Sequence, residues 1–450
     1  MLLVERRAGG IFLRPTPNQN QIYMNRRSFL SQSALATGGI MIVPRFVLGG
    51  KGFIAPSDKI NLGFIGTGKQ SGGLGKRLRS LESIQMVAAC DINQVNLQRF
   101  VKQTNEQYAE MKGYANYAGC TTYTDYQALV ENPDLDAVIV ATPDHWHAII
   151  SIAAMEAGKD VYCEKPLAHT IKEGRAMVRA ADKYDRILQT GSMQRSGAGF
   201  RKAVNLVRSG YIGKVEKVLV NVGDPAKDYD LPAEPLPAGL DWDAWIGPAP
   251  MRPYNQVLSP QEGDKRWPMW RHYREFGGGI LSDWGAHMFD IAQWGLDKDH
   301  TGPVKFIPPS DPSAVRGLKM IYEDGVEMIH EDFERGWAVR FIGSEGSLDV
   351  SRQFLDSNPK GIAEKTLSEA EQIVYHSENH YQDWIDCIKK RTQPICPPEV
   401  GHRSASVCNL ANIAYQTGRT LEWDPVKEKF KGDGPANKLR TKKYRKPYKL

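Results

Sequence analysis

Cysteine is scarce in this chain, and its six cysteines form no CxxC pair. Most of them lie in apolar stretches typical of strands or helices: Cys90, Cys120, Cys163, Cys387, Cys396 and Cys408. Cysteines in such contexts usually behave as small buried hydrophobic side chains, whereas metal-binding and redox motifs space their cysteines closely. The sequence therefore predicts buried free thiols and argues against a disulfide framework and against a metal site.

Long apolar runs are also missing. An excess of positive charge is missing too from the body of the chain, because it is confined to the two ends. No apolar segment reaches the roughly 20 residues of a membrane span. The formal net charge is +6, but residues 1–57 carry +6 and residues 427–450 carry +8, which leaves −8 for residues 58–426. An acidic body does not attract nucleic acid. We therefore expect neither a stable membrane span nor nucleic-acid binding.

The first 57 residues have the features of a leader. Asn25-Arg26-Arg27-Ser28-Phe29-Leu30 is a twin-arginine signature, and a modest apolar stretch follows over residues 34–43. This arrangement predicts export of a folded protein to the periplasm by the twin-arginine machinery. The alternative is a chance pair of arginines before a short helix.

Strands and helices alternate over residues 58–190. Strands are predicted at 58–66, 85–90, 137–141, around Val161 and at 187–190, with helices at 74–81, 123–130, 147–158 and 170–184. Such alternation predicts an α/β fold in which a doubly wound parallel sheet forms an N-terminal Rossmann domain.

Residues 191–425 have a different pattern and predict an α+β domain with a mostly antiparallel open sheet. Strands are expected at 214–222, 315–322, 325–331, 336–342 and 346–350, and helices near 378–391 and 400–418. Asp324-Gly325 between two such strands is a strong hairpin signal. Residues 224–275 are rich in Pro, Trp and Tyr and predict a long ordered insertion beside the substrate. Residues 426–450 form a basic tail, expected to lie on the surface or on a neighbouring subunit.

A glycine-rich turn follows the first strand. Gly66-Thr67-Gly68-Lys69 provides the tight turn and bare backbone that allow a pyrophosphate to approach a helix N-terminus. The third glycine of the usual fingerprint is replaced by Ser71. Asp91, at the end of the second strand, is placed to accept hydrogen bonds from the adenosine ribose and to repel a 2′-phosphate. NAD is therefore favoured over NADP, although Lys69 argues weakly for the latter.

The stretch from residue 142 to residue 167 carries the most specific motif. It contains Thr142-Pro143-Asp144-His145-Trp146-His147, a helical run, Gly158-Lys159, and then Glu164-Lys165-Pro166. A lysine at a strand's carboxyl end points into the crevice where open α/β sheets bind ligands. The pattern resembles the glucose–fructose oxidoreductase/inositol dehydrogenase/rhizopine catabolism (Gfo/Idh/MocA) family of NAD(P)-dependent sugar dehydrogenases.

A second motif follows three glycines at 277–279. Asp283, His287 and Asp290 lie at i, i+4 and i+7 on one face of an otherwise apolar helix. A capping aspartate with a buried histidine, or a solvated face, would explain these residues without function. A zinc motif is not favoured, because the helix carries a single histidine. The family to which the chain is similar has its catalytic Asp and His four residues apart after a triple glycine, which implies that Asp283 and His287 are catalytic.

The motifs and the resemblance together give a full set of expected site residues. Lys165, Asp283 and His287 are expected to be catalytic. The expected cofactor-binding residues are Gly66, Thr67, Gly68, Lys69, Asp91, Thr142, Pro143, His147, Glu164, Lys165 and Gln194. Trp270, Tyr273 and Arg274 are expected to bind substrate with Asp283 and His287, because aromatic faces and arginine donors suit a sugar ring. An ordinary aromatic core patch is the alternative for that cluster.

The expected function is oxidation of a secondary alcohol of a sugar, glycoside or cyclitol by tightly bound NAD. Export would separate the enzyme from the cytoplasmic cofactor pool, so the cofactor would have to be recycled in place. A redox-neutral NAD-dependent glycoside hydrolase, which oxidises, eliminates, hydrates and reduces at C3, is the alternative. A non-catalytic sugar or NAD sensor is less favoured, because Lys165, Asp283 and His287 are all present. The resemblance also implies a homo-oligomer.

Overall fold

The computed structural model describes residues 58–450, and its first sheet has six parallel strands. The twin-arginine motif in residues 1–57 lies outside the described residues. The strand order is β3-β2-β1-β4-β5-β6. The bounds are β1 Ile60–Ile65, β2 Ile84–Cys90, β3 Thr121–Tyr123, β4 Ala137–Val140, β5 Asp160–Cys163 and β6 Leu188–Thr190. The order reverses beside β1, so a ligand crevice opens at the carboxyl ends of β1 and β4.

Helices cover both faces of this sheet. They are α1 Lys69–Arg79, α2 Gln94–Lys112, α3 Tyr126–Val130, α4 Asp144–Glu156 and α5 Ile171–Tyr184. Helix α2, which is absent from the sequence prediction, buries Leu97, Phe100, Thr104 and Tyr108 on one face. Its first turn is capped by Asn93, whose side chain accepts hydrogen bonds from two backbone N–H groups. The predicted Rossmann sheet is confirmed.

The second sheet has nine strands in the order β13-β12-β11-β7-β10-β9-β8-β14-β15. The bounds are β7 Val215–Asn221, β8 Lys305–Ile307, β9 Leu318–Ile321, β10 Glu327–His330, β11 Ala338–Gly343, β12 Gly346–Val350, β13 Leu355–Asn358, β14 Leu421–Asp424 and β15 Lys429–Phe430. Among the described strands of this second sheet, only β7 and β10 pair in parallel. Gly325, with φ of +87°, turns the hairpin between β9 and β10. The mostly antiparallel sheet is confirmed.

The remaining helices pack mainly around this second sheet. They are α6 Ala198–Arg208, α7 Trp242–Ile246, α8 Gly279–Gly295, α9 Gly361–Glu364, α10 His380–Lys390, α11 Pro398–Thr417 and α12 Gly434–Lys438. Met288 and Phe289 of α8 share one buried core with Val218 and Phe341 of the sheet. This core holds α8, and the titratable residues on it, in a fixed position. No helix within residues 58–450 is long and apolar enough to cross a membrane.

Helix α10 packs differently from the sequence expectation that it closes the second domain. Its Trp384, Ile385 and Ile388 join the core of the Rossmann sheet beside Phe64 and Ile139. The sequence shows that this helix has one apolar face, but the face alone does not specify which of two cores receives it.

The insertion and the basic tail are both structured. The insertion has a small core in which Trp242 stacks on Trp245 at 4.5 Å between ring centroids. The tail contributes β15 and α12 and then returns to the Rossmann domain, where Arg440 O accepts a hydrogen bond from Lys172 N. Both segments therefore reach the edge of the crevice.

Candidate active site

A cleft of about 1340 Å³ opens at the carboxyl ends of the parallel strands, and the glycine-rich turn forms one wall. Gly66 has φ of +92°, and a Cβ there would lie 2.7 Å from the backbone of Ala141 and Thr142. A Cβ on Gly68 would meet no atom within 4 Å. Gly66 thus permits the turn, and Gly68 leaves the N-terminus of α1 open to the cleft, as a pyrophosphate requires.

Asp91 lies at the end of β2 and fixes this turn. Its Oδ2 accepts hydrogen bonds from Thr67 N (2.6 Å) and Thr67 Oγ1 (2.9 Å), and its Oδ1 accepts one from Asn93 N (2.8 Å). Burial raises the pKa of Asp91, and these hydrogen bonds act against that rise. An ionised carboxylate has about four acceptor positions, so Asp91 retains capacity for a ribose hydroxyl.

Thr142 and Pro143, between β4 and α4, form the next part of the wall, and His147 in the first turn of α4 is buried beside them. Pro143 caps α4, and the ring nitrogens of His147 lie 2.9 Å from Thr142 O and 2.9 Å from Pro166 O. Burial lowers the pKa of His147 to about 4, so the neutral ring donates to one of these carbonyl groups. His147 therefore connects the β4 exit to the turn that carries Lys165.

Lys165 and Asp283 are brought together across the two domains. Lys165 Nζ donates to Asp283 Oδ1 (2.6 Å) and to Asp283 O (2.8 Å), and Arg271 Nε donates to Asp283 Oδ1 (3.2 Å). Burial alone would raise the pKa of Asp283, but the two cations outweigh it and hold that pKa well below its usual range. The site therefore contains an ionised carboxylate that fixes the position of the ammonium group.

His287 lies one helical turn beyond Asp283 and is almost fully buried. Burial, with Lys165 and Arg352 as neighbouring cations, lowers the pKa of His287 well below its usual value. Its Nδ1 has no hydrogen-bond partner among the described residues. The ring is therefore neutral at neutral pH and has a nitrogen available to a bound ligand.

Other buried polar atoms in this region also have no partner within the described part of the chain. They are Thr142 Oγ1 and both amide atoms of Gln194. Buried polar groups without partners are costly, and a bound ligand commonly satisfies them. With the open α1 N-terminus and Asp91, these residues fit a dinucleotide: Gly66 and Gly68 at its phosphates, Asp91 at a ribose, and Thr142 and Gln194 further along.

Glu164 and Lys69 have other contacts. Glu164 is buried beside Lys165, and a Cβ on Gly191 would lie 3.1 Å from its Cα. Burial raises the pKa of Glu164, while Lys165 and a hydrogen bond from Gln70 lower it. Lys69 Nζ donates to the carbonyl oxygens of Asp264 (2.5 Å) and Arg266, so it ties the insertion to the glycine-rich turn.

The expected substrate residues divide into two groups. Trp270 lines the cleft, and the guanidinium of Arg271 lies 4.2 Å from its ring centroid. Trp270 and Tyr273 both belong to the insertion core, but Tyr273 does not line the cleft, and Arg274 pairs with Asp228 at 2.9 Å. The sequence places these residues side by side, but the chain turns between them, so only Trp270 faces the cleft.

Three features of the site were missed or misjudged at the sequence level. Arg271 is not among the expected site residues, yet it lines the cleft and donates a hydrogen bond to Asp283. Asp144, the first residue of α4, is buried near Asp283, and burial together with that carboxylate raises the pKa of Asp144 to about 8. Asp290, on the same helix face as Asp283, does not join the site and instead binds Arg195 at 2.8 Å. Asp144 could have been suspected from its place beside Pro143, at a crevice-facing strand end.

No group of three or more His, Cys, Asp or Glu residues within 58–450 is arranged to hold a metal ion, and the cysteines are free and buried. Burial raises the pKa of the thiols, for instance that of Cys120 to about 12.

Comparisons with known proteins agree with this architecture. The family model described as "Oxidoreductase family, NAD-binding Rossmann fold" matches residues 60–192. The model described as "Oxidoreductase family, C-terminal alpha/beta domain" matches residues 206–450. Both belong to the Gfo/Idh/MocA set.

Among curated proteins, the chain is similar to glycosyl hydrolase family 109 proteins. It is 29% identical over 206 residues to one from Shewanella pealeana, which covers 43% of this chain and 44% of that protein. It is 30% identical over 207 residues to one from Shewanella baltica, with the same coverage. The match thus spans less than half the length of these relatives.

Solved structures show the same fold. The aldose–aldose oxidoreductase of Caulobacter crescentus, complexed with glycerol, has a TM-score of 0.55 and 20% identity over 81% of this chain and 99% of that one. The WlbA dehydrogenase of Bordetella pertussis, in complex with NADH and UDP-GlcNAcA, has a TM-score of 0.55 and 17% identity, with the same coverage. The family models together match both domains, and the chain therefore belongs to the Gfo/Idh/MocA oxidoreductase family, with an NAD-binding Rossmann domain.

Proposed function

We propose that the protein oxidises a secondary hydroxyl group of a sugar, glycoside or cyclitol with tightly held NAD. The observation that carries this proposal is the ion pair between Lys165 and Asp283, with Lys165 Nζ and Asp283 Oδ1 2.6 Å apart, at the carboxyl end of the Rossmann sheet. The unpartnered Nδ1 of His287 and the unpartnered amide of Gln194 support it. A lysine that donates to the substrate oxygen, a histidine that accepts its proton and an orienting carboxylate can together support alcohol oxidation by a bound hydride acceptor.

The residues have separate roles. The Lys165 ammonium group donates a hydrogen bond to the substrate oxygen and stabilises the negative charge that develops there. Asp283 holds that ammonium in position, and Arg271 holds Asp283. The neutral His287 accepts the hydroxyl proton at a ring nitrogen. When bound, NAD supplies the hydride acceptor.

The cleft wall beside this group suits a sugar ring. Arg271 lies against the rings of Trp270 (4.2 Å) and Trp267 (5.4 Å), so flat apolar faces alternate with guanidinium donors. Trp267 is 49% exposed, so much of its surface is available for contact. The apolar C–H face of a sugar can pack on indole while its hydroxyl groups receive hydrogen bonds.

A redox-neutral glycoside hydrolase is the second candidate, and two observations favour it. The curated relatives are named glycosyl hydrolase family 109 proteins. Asp144, with its pKa raised to about 8, can hold a proton at neutral pH beside the Lys165–Asp283 pair. Such a proton is what departure of a glycosidic leaving group requires. In this cycle the ketone formed at C3 is reduced again, so no net NADH appears.

A panel of free sugars, cyclitols and aryl glycosides distinguishes the dehydrogenase from the redox-neutral hydrolase. We expect accumulation of NADH with a keto sugar from at least one free sugar or cyclitol. Release of the aryl group without net NADH would support the hydrolase. Neither product from any compound, with NAD bound, would contradict both chemistries.

The partners in this proposal are a small sugar or cyclitol, the twin-arginine export machinery, and a second copy of this chain. Homo-oligomerisation stays a prediction that the mass of the purified protein in solution will decide. Periplasmic location also explains why the cofactor must be held tightly, since no cofactor pool replaces it there.

Export by the twin-arginine machinery predicts that substitution of the arginine pair changes where the protein is found. With Arg26→Lys and Arg27→Lys together, we expect the protein to remain in the cytoplasmic fraction, because the machinery requires the arginine pair. Arg14→Lys, outside the motif, is the matched control and should be exported normally. Equal periplasmic amounts of all three proteins would contradict export by this route.

A further inference from the structure

The last residues of the described chain lie along the joint between the Rossmann domain and the insertion. We name residues 442–450 the clasp. Pro447, Tyr448, Lys449 and Leu450 line the same cleft as Gly66, Gly68 and Asp91. Nothing in the sequence indicated that a basic tail would reach the cofactor cleft.

The clasp is anchored first to the Rossmann domain. Lys442 Nζ donates to the ring of His169 and to the carbonyl oxygen of Arg274. Tyr444 OH donates to Glu173 Oε1 at 2.5 Å. His169 and Glu173 are almost fully buried. Contacts with buried partners of this kind are specific, because each leaves an unpaired polar group if it opens.

A second anchor binds the clasp to the insertion. Arg445 Nη1 donates to Asp243 Oδ1 (2.7 Å), Arg445 Nε donates to Gly247 O (2.9 Å), and Arg445 N donates to Pro248 O (2.9 Å). Arg445 Nη2 also donates to Asp243 O (2.9 Å), so one arginine satisfies four acceptors in α7 and just after it. The clasp is held on both sides just before it reaches the cleft.

Tyr448 lies on the adenosine side of the cleft. Its ring packs edge-on against Trp146 at 5.3 Å, and Trp146 packs against Tyr126 at 5.8 Å. Tyr126 follows β3, and Tyr123 O in that strand accepts a hydrogen bond from Asp91 N at 3.2 Å. The aromatic row therefore begins beside the carboxylate that marks the adenosine ribose.

We propose that the clasp is part of the cofactor site: Tyr448 forms an aromatic wall for the adenosine half of NAD, and the anchors at Lys442 and Arg445 keep that wall in place. The inference rests on the NAD-binding Rossmann domain and deepens the cofactor retention in the proposed function. Lys449 adds a cation at the cleft wall, which suits a dinucleotide with two phosphate groups.

The test measures cofactor release without any sugar. Protein loaded with NADH is mixed with excess NAD, and the loss of bound NADH fluorescence gives the release rate. We expect Tyr448→Ala and Arg445→Ala each to release NADH about tenfold faster than wild type, a change of the size expected for one lost base–aromatic contact. Tyr448→Phe should behave like wild type. Lys438→Ala removes an exposed charge of the tail outside both the clasp and the cleft lining, and is the matched control.

A second ligand separates a wall for adenosine from a general loss of structure. Reduced nicotinamide mononucleotide lacks adenosine, so its affinity should be the same in Tyr448→Ala and wild type. Equal NADH release rates in Tyr448→Ala and wild type would overturn the inference, as would an equal loss of affinity for both ligands.

Hydrogen–deuterium exchange on the unaltered protein guards against variants that fail to fold. Residues 444–450 should exchange more slowly when NADH is bound, and unchanged exchange there would overturn the inference. These measurements do not involve sugar oxidation, so the clasp can fail while the proposed activity stands. Absence of any NADH binding by wild type would overturn both.

Discussion

Replacing Lys165 with methionine is expected to lower turnover by roughly 10²- to 10⁴-fold while NAD remains bound. Lys165 Nζ donates to Asp283 at 2.6 Å, and in the proposed reaction it also donates to the substrate oxygen. Methionine keeps the length of the side chain but has no donor, so charge developing on that oxygen is no longer stabilised. The turnover rate with the best sugar and the content of bound dinucleotide are the two quantities to measure.

The control for this substitution is Lys172→Met, which changes an exposed lysine of α5. It should have normal turnover. Near-normal turnover in Lys165→Met would remove Lys165 from the reaction. Loss of bound NAD together with turnover would instead make Lys165 mainly a cofactor-binding residue.

The second large effect is expected from Arg195→Met and concerns stability. Arg195 is 2% exposed and binds Asp290 with two hydrogen bonds of 2.8 Å each, as well as Asp299 at 2.7 and 2.9 Å. Without the guanidinium, the fully buried Asp290 keeps only the hydrogen bond from Ser404 Oγ among the side chains of residues 58–450. Removal of one partner from a buried ion pair typically costs about 3–5 kcal/mol. Urea unfolding of both proteins measures the difference in free energy of unfolding.

The loss of stability caused by Arg195→Met should depend on pH. Burial raises the pKa of Asp290 even beside Arg195, and removal of the guanidinium raises it further. A carboxyl group whose pKa is higher in the folded state than in the unfolded state binds its proton more tightly when the protein is folded. Its contribution to the free energy of unfolding is therefore present at acid pH and is lost as pH rises through the folded-state pKa. Arg195→Met should therefore be closer to wild type in mildly acidic buffer than in mildly alkaline buffer.

Arg208→Met is the matched control for this prediction. It removes a pair with Asp297, a residue whose side chain is 71% exposed. Exposed pairs contribute about 0–1 kcal/mol, so stability should change little. An equally small effect of Arg195→Met would show that the buried cluster contributes little to the free energy of unfolding.

Much of the fold follows from local patterns in the sequence. The strand of apolar residues before Gly66, and the strand before Thr142, are each short, continuous and buried, as parallel strands must be. The Asp324-Gly325 turn and the alternating strands around it predicted the hairpin of the second sheet. These signals depend on neighbours along the chain, so they can be read without the structure.

The assignments that differed depend on contacts between distant residues. Helix α10 has a clear apolar face, yet its neighbour is the Rossmann core rather than the second sheet. The basic tail has no periodic pattern, yet Lys442 and Tyr444 bind His169 and Glu173, far earlier in the chain. Composition alone could not indicate these partners.

The candidate site shows the same division. Lys165 and Asp283 are 118 residues apart and were paired only because two separate motifs resembled one family. Arg271 carried no motif of its own, and its role emerged only when its contact with Asp283 was known. Tyr273 and Arg274 were expected at the site because they lie close to Trp270 in the sequence. The chain turns between these residues, so closeness in sequence does not bring them to the cleft.

The central claim is that this chain transfers a hydride from a sugar carbon to a dinucleotide that it already holds. The most direct test uses protein purified without added cofactor and a sugar with deuterium at the carbon that is oxidised. After one turnover the protein is denatured and the released dinucleotide is examined by mass spectrometry. We predict NADH that carries one deuterium. Formation of product with an unlabelled dinucleotide, or with none, would contradict the account.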